Sequence, residues 1–162
     1  DAPVKVAIFF DFLCPHCATF SDQITPVLKQ EFVDTGTAAL YFMNFPVVNP
    51  VVSRDVAIVG ECVFNQSNDA FVALEPIMLR AQNNLRSRAD AVDFALAYGP
   101  DLDGGALRDC VASPEAADAV AADVATAGAF NLTGTPSVVV DGRVVTNPSL
   151  ANIRTAIRNA AN

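Results

Sequence analysis

The sequence predicts an α/β chain in which a block of helices interrupts the sheet-forming segments. Three observations carry that prediction. Two apolar, strand-like runs near the start flank a helical pattern. From about Asn49 to Gly128 the periodicity is helical throughout. Near the end, Asp141-Gly142 sits between two β-branched runs, the pattern of a tight hairpin followed by one more helix.

The elements follow in order. Lys5 to Phe12 reads as a buried strand, apolar on both faces. A helix is expected from Pro15, with Phe20, Ile24, Val27, Leu28 and Phe32 on one stripe. Pro26 should kink it by removing a ladder bond, and Gly36 follows its end. Ala38 to Phe45 is a second strand, and strand–helix–strand of this length implies a right-handed parallel crossover.

In the middle, Val56, Val59, Gly60, Val63 and Phe64 form one helical stripe; Phe71, Leu74, Ile77, Met78 and Ala81 form another after a Ser67 cap. Further helices are expected at Ser87–Tyr98 and Leu107–Val111. Ser113-Pro114-Glu115 opens the last one, and Gly128 ends it. The hairpin spans Pro136 to Thr146, and Asn147-Pro148 is expected to cap a helix carrying Leu150, Ile153 and Ile157. The expected division is therefore 1–48 with 129–162, and an inserted helical domain at 49–128.

Composition narrows the function classes. Hydrophobic residues make up 52% of the 162 and charged ones 17%, enough for a core without metal staples. The formal net charge is −8 with no Lys/Arg cluster, which gives nucleic-acid binding no support. No apolar run reaches membrane-spanning length. The chain opens at Asp1-Ala2-Pro3 almost directly on a strand, as expected of a mature, exported product without its signal peptide.

Cys14-Pro15-His16-Cys17 carries the chemistry. Two thiols with two residues between them can close a small disulfide ring. Placed at a helix start, the first sulfur lies near unpaired N–H groups and the positive end of the helix dipole. Those groups favour the thiolate, the form that attacks disulfides. Zinc sites use the same spacing, and a static disulfide is the other structural alternative. His16, the only histidine, is either a solvated loop residue, a weak metal ligand, or a source of positive charge near Cys14.

The sequence is identified as a member of the DsbA-like branch of the thioredoxin superfamily, and the resemblance runs essentially end to end. Phe9-Phe10-Asp11-Phe12-Leu13-Cys14-Pro15-His16-Cys17 resembles the family's strand and active site. Gly134-Thr135-Pro136-Ser137 and the following Val138-Val139-Val140-Asp141-Gly142 resemble its cis-proline loop and hairpin. The resemblance implies a thioredoxin fold whose βαβ and ββα halves are separated by the helical insertion. It implies disulfide formation in reduced, unfolded or partly folded exported proteins, outside the cytoplasm. It also implies no cofactor and a membrane partner, DsbB-like or VKOR-like, for reoxidation.

Residue roles follow from motif and resemblance together. Cys14 is the expected nucleophile and Cys17 the resolving thiol, with Pro15 and His16 between them. Pro136 is implied to be cis, with the Thr135 backbone facing Cys14 and open to a substrate strand. The Thr135 hydroxyl could donate to the Cys14 sulfur. The family's strongest oxidants often carry valine there and its isomerase relatives threonine. Asp11 is either a strand-end carboxylate that caps the loop or a proton acceptor near the thiols. The buried acid that thioredoxins carry six residues before the first cysteine is replaced by Ile8.

Cys62 and Cys110 are expected to form a structural disulfide, since distant cysteines tend to pair in the oxidising setting such a site implies; the alternative is two buried thiols. Isomerases of this type carry an extra dimerisation domain before the first strand, so a monomeric oxidase is preferred. The alternatives are an isomerase or reductase with the same chemistry, and a metal-binding domain using Cys14, Cys17 and His16. A kappa-type glutathione transferase is disfavoured because those lack the second cysteine.

Overall fold

The computed structural model describes residues 2–162; Asp1 lies outside them. A four-stranded sheet in the order β2-β1-β3-β4 forms the base. β1 (Val4–Phe10) pairs in parallel with β2 (Ala38–Asn44) and antiparallel with β3 (Ser137–Val140), which turns into β4 (Arg143–Val144). β1 is central, and both its faces are covered. Val4, Val6 and Ile8 pack with Phe20, Leu28, Ile153 and Ile157 on one side. Phe9 packs with Ala127 and Val139 on the other. That two-sided burial explains the continuous apolar run.

The first helix is broken rather than kinked at Pro26. α1 (Pro15–Gln23) stops before Ile24, α2 (Thr25–Leu28) restarts there, and Lys29–Val33 closes as a π turn. The break precedes the proline because its ring collides with the carbonyl four residues back, that of Asp22. The next helices are α3 (Pro50–Gln66), α4 (Asn68–Arg80), α5 (Arg88–Tyr98), α6 (Gly104–Ala112) and α7 (Pro114–Ala129). α8 (Leu150–Ala160) ends the chain's regular structure.

Two caps differ from the sequence reading. Ser67 accepts from the Ala70 N–H, as its position suggests. Ser113 does not cap α7 with its side chain; its hydroxyl donates back to the Cys110 carbonyl at the end of α6. α8 is capped by Ser149, not by Asn147-Pro148, because Asn147 adopts φ 50° and leaves the capping geometry to Ser149. The hairpin turn places Asp141 and Gly142 at φ 44° and 76°, the left-handed pair that a two-residue type I′ turn requires.

α3 is the spine of the helical layer, with Val56, Ala57, Ile58, Val59, Cys62 and Val63 buried. Phe64, expected on the same stripe, is 47% exposed. Cys62 on α3 and Cys110 on α6 are disulfide-bonded, with Cα atoms 5.8 Å apart. α7 serves both layers: Ala116 and Val120 join the helical core, while Ala127 packs on the sheet. Among the described residues no helix is long and apolar enough to cross a membrane.

Candidate active site

β1 ends at Phe10, and a short loop brings the chain to Cys14, the N-cap of α1. The Cys14 N–H donates to the Asp11 carbonyl at 3.0 Å and closes the loop. Pro15 begins the helix, where its missing N–H costs nothing. His16 is exposed. Cys17 lies within the first turn on the buried face of α1. Both cysteines are free thiols, and the residues are 4% and 2% exposed.

The pair is strongly asymmetric. Cys14 is pulled down to about 5, first by the hydrogen bond from the Cys17 thiol. Burial opposes that pull, while the Thr135 hydroxyl and the backbone N–H groups of Cys17 and His16 reinforce it. Cys17 is pushed well above the ordinary thiol range, by the same bond to Cys14 and then by its own burial. His16 therefore acts on Cys14 through its backbone at the helix terminus, the arrangement that favours an anion there.

The Thr135–Pro136 peptide bond is cis. The Cys14 thiol donates to the Thr135 carbonyl at 3.4 Å, across 121 residues of sequence. The Thr135 carbonyl thus meets Cys14 directly, in addition to the expected hydroxyl. The Thr135 hydroxyl is buried without a partner of ordinary hydrogen-bond geometry, and it acts to lower both thiols. Ser137 closes the loop by donating to the Gly134 carbonyl at 2.7 Å.

Asp11 is buried, and both its carboxylate oxygens are engaged. One accepts from the Leu13 N–H at 2.9 Å; the other accepts from the Val47 and Val48 N–H groups at 2.8 Å. The side chain braces the loop before Cys14 against the loop that leads into α3.

Two side chains near the site have no signature in the sequence. Gln82, in the single 3-10 turn after α4, donates its amide to the Cys14 carbonyl at 2.7 Å. Glu75 on α4 is 5% exposed and accepts from Ser21, one turn beyond Cys17 on α1, at 2.8 Å. Burial pushes Glu75 up to about 7. Both contacts join the helical layer to α1, and no local motif marks a pairing between distant segments. Among the described residues, no group of three or more His, Cys, Asp and Glu side chains is placed to hold a metal.

The profile of the Thioredoxin family matches residues 1–159. The chain is 31% identical over 161 residues to a probable disulfide bond formation protein D of Bacillus cereus, covering 97% of this chain and 74% of that one. It is 27% identical to a putative protein-disulfide oxidoreductase of Rickettsia typhi, across 97% of this chain and 58% of the other. In fold it resembles oxidised BdbD of Bacillus subtilis, with a TM-score of 0.86 at 24% identity over 99% of this chain and 89% of that one. The chain belongs to the thioredoxin family, among its DsbA-like protein disulfide oxidoreductases.

Proposed function

We propose that the chain donates its Cys14–Cys17 disulfide to reduced, exported proteins through a mixed disulfide. A substrate thiolate attacks the Cys14 sulfur; that bond forms as Cys14–Cys17 breaks. Cys17 leaves and takes up a proton, as its raised affinity for one dictates. A second substrate thiolate then attacks the substrate sulfur of the mixed disulfide, and Cys14 departs as a thiolate. Two electrons have passed from the substrate dithiol to the enzyme, which a membrane partner of the DsbB or VKOR kind reoxidises.

The asymmetry of the two thiols is the observation that carries this reading. A Cys14 near 5 is a good leaving group, which favours release of an oxidised substrate. At pH 7 a thiol lowered this far favours the reduced form by roughly 2.7 kcal/mol relative to an ordinary one. Solvent screening at the helix end discounts that by about half. What remains is on the order of 30 mV towards a more oxidising disulfide.

The surroundings suit an extended, unfolded substrate. When Cys14 ionises, the Thr135 carbonyl loses its donor and becomes free for a substrate N–H, in strand fashion. Beside Cys14, a trough lined by Leu13, Pro15, Val48 and Val52, with Gln82 and Arg86, offers mixed apolar and polar contact. Residues 1–48 and 129–162 supply the exchange chemistry, and the 49–128 insertion supplies part of this trough. The Cys62–Cys110 bond fits an extracytoplasmic, oxidising setting.

The test uses Cys17→Ser. Mixed with a reduced, denatured protein carrying a small dye-disulfide, it should accumulate a stable mixed disulfide through Cys14, while the wild type turns over and Cys14→Ser does nothing. Full turnover by Cys17→Ser, or trapping at another cysteine, contradicts the proposal. Thr135 favours an isomerase as the second reading; faster rearrangement of a scrambled protein than oxidation of a reduced one would select it.

A further inference from the structure

The trough beside Cys14 is built from separate parts of the chain. Leu13 and Pro15, the sequence neighbours of Cys14, line it together with Leu85 and Arg86, from the segment between α4 and α5. Among the described residues that line it, Arg86 alone carries a charge. The chain as a whole has a net charge of −8, so this cation stands next to the reacting residue against the molecule's overall field.

The Arg86 guanidinium is open to a ligand. Its side chain is 81% exposed, and its ion pair with Asp90, four residues on, is loose at 3.9 Å. The same Asp90 oxygen also accepts the Arg86 backbone N–H at 3.3 Å. A pair this exposed is weak, and one shared oxygen cannot occupy the five N–H donors of a guanidinium. Asp11, the acid before Cys14, is buried with both oxygens on the N–H groups of Leu13, Val47 and Val48, so it does not compete for Arg86.

The position of Arg86 relative to Cys14 is fixed. The Gln82 amide donates to the Cys14 carbonyl at 2.7 Å, and Leu85, 1% exposed, anchors the same segment in the helical core. The four steps of chain from Gln82 to Arg86 span at most about 14 Å. That is the length of about four residues of extended substrate. Leu13, Val48 and Val52 offer apolar contact in the same trough.

We propose that Arg86 is a specificity-determining residue for disulfide exchange. It selects reduced, extended substrate segments that carry a carboxylate about two to four residues from the reacting cysteine. The proposal deepens the exchange reading above and rests on it.

The test uses the oxidised full chain and two reduced dithiol peptides that differ only in Glu or Lys, placed about three residues from the attacking cysteine. At low salt the wild type should oxidise the Glu peptide about fivefold faster in kcat/KM than the Lys peptide, with the difference in KM. High salt should erase the preference. Arg86→Gln should abolish it and Arg86→Glu should invert it. Arg143→Glu, on β4 at the end of the hairpin away from Pro136, makes the same change in net charge and should keep it. An unchanged order of the peptides in Arg86→Glu, or an equal loss in Arg143→Glu, overturns the proposal. So does a dimer of the wild type in sedimentation that Arg86→Glu dissolves, because a second copy would then fill the trough. A wild type that oxidises neither peptide sinks the exchange reading instead. Binding of the same peptides with serine for cysteine, followed by fluorescence anisotropy, then still decides the role of Arg86.

Discussion

Asp11 shows how much one carboxylate can hold together without touching a sulfur through its side chain. Its two oxygens take three backbone N–H groups, from Leu13, Val47 and Val48. Removing the acceptor leaves those partly buried donors to be met by water, if at all, and undoes the brace between the two loops. Asp11→Ala should therefore cost roughly 1–3 kcal/mol of stability, read from urea melts of the reduced protein. Its alkylation midpoint at Cys14 should stay near wild type, because no part of the Asp11 carboxylate is among the groups that lower Cys14. A large shift in that midpoint with unchanged stability would instead make Asp11 a partner in proton transfer. The residue's type and its place before Cys14 are visible in sequence; its partners beyond residue 45 are not, because they arrive with a different loop.

At the scale of elements, α1 is seated by the sheet through Phe20 and by the helical layer. Gly60 on α3 lets the Phe12 ring press against the helix backbone: an added Cβ would meet that ring at 2.7 Å. Phe12 thus reaches its fully buried place just ahead of the first thiol. Glu75 joins α4 to α1 through Ser21, with Asp22 and Arg80 paired at the rim at 2.6 Å. Burial, chiefly, and Asp22 raise Glu75 to about 7, while Ser21 and Arg80 pull it down. A raised carboxyl means that the folded state prefers the proton. The contribution is fully favourable below the unfolded value near 4.5 and is lost as pH rises through 7. The loss amounts to roughly 3 kcal/mol. Glu75→Gln, which keeps the bond to Ser21 without the charge, should match wild type near pH 4 and be clearly more stable near pH 8. Parallel melts at the two pH values decide it; an equal offset at both would show that Glu75 does not titrate in this range.

Over the whole molecule, legibility in the sequence followed locality. The strand leading into Cys14, the helix behind it, the Asp141-Gly142 turn and the helical periodicity of the insertion are each written within a dozen neighbouring residues, and the α/β architecture follows from them. Where neighbours compete, local reading slips: Ser149 rather than Asn147 caps α8, and the first helix opens at Ile24 rather than at Pro26 itself. What brings Cys14 against the Thr135 carbonyl and under the Gln82 amide is tertiary, across 121 and 68 residues, and only the first of these was carried by a family motif.

The central claim is that the fold stabilises the Cys14 thiolate and so makes the Cys14–Cys17 disulfide an oxidant. A thiol lowered in the folded state adds stability to the reduced protein that is complete above the unfolded thiol value, near 9, and disappears as pH falls through about 5. The most direct measurement is a pair of denaturant melts, of the reduced and the oxidised protein, repeated across that range with Cys62–Cys110 left intact. The account predicts that the reduced form is the more stable at pH 7, and that its margin over the oxidised form shrinks steadily towards pH 5. An oxidised form that is the more stable at pH 7, with a margin that does not change with pH, would contradict it.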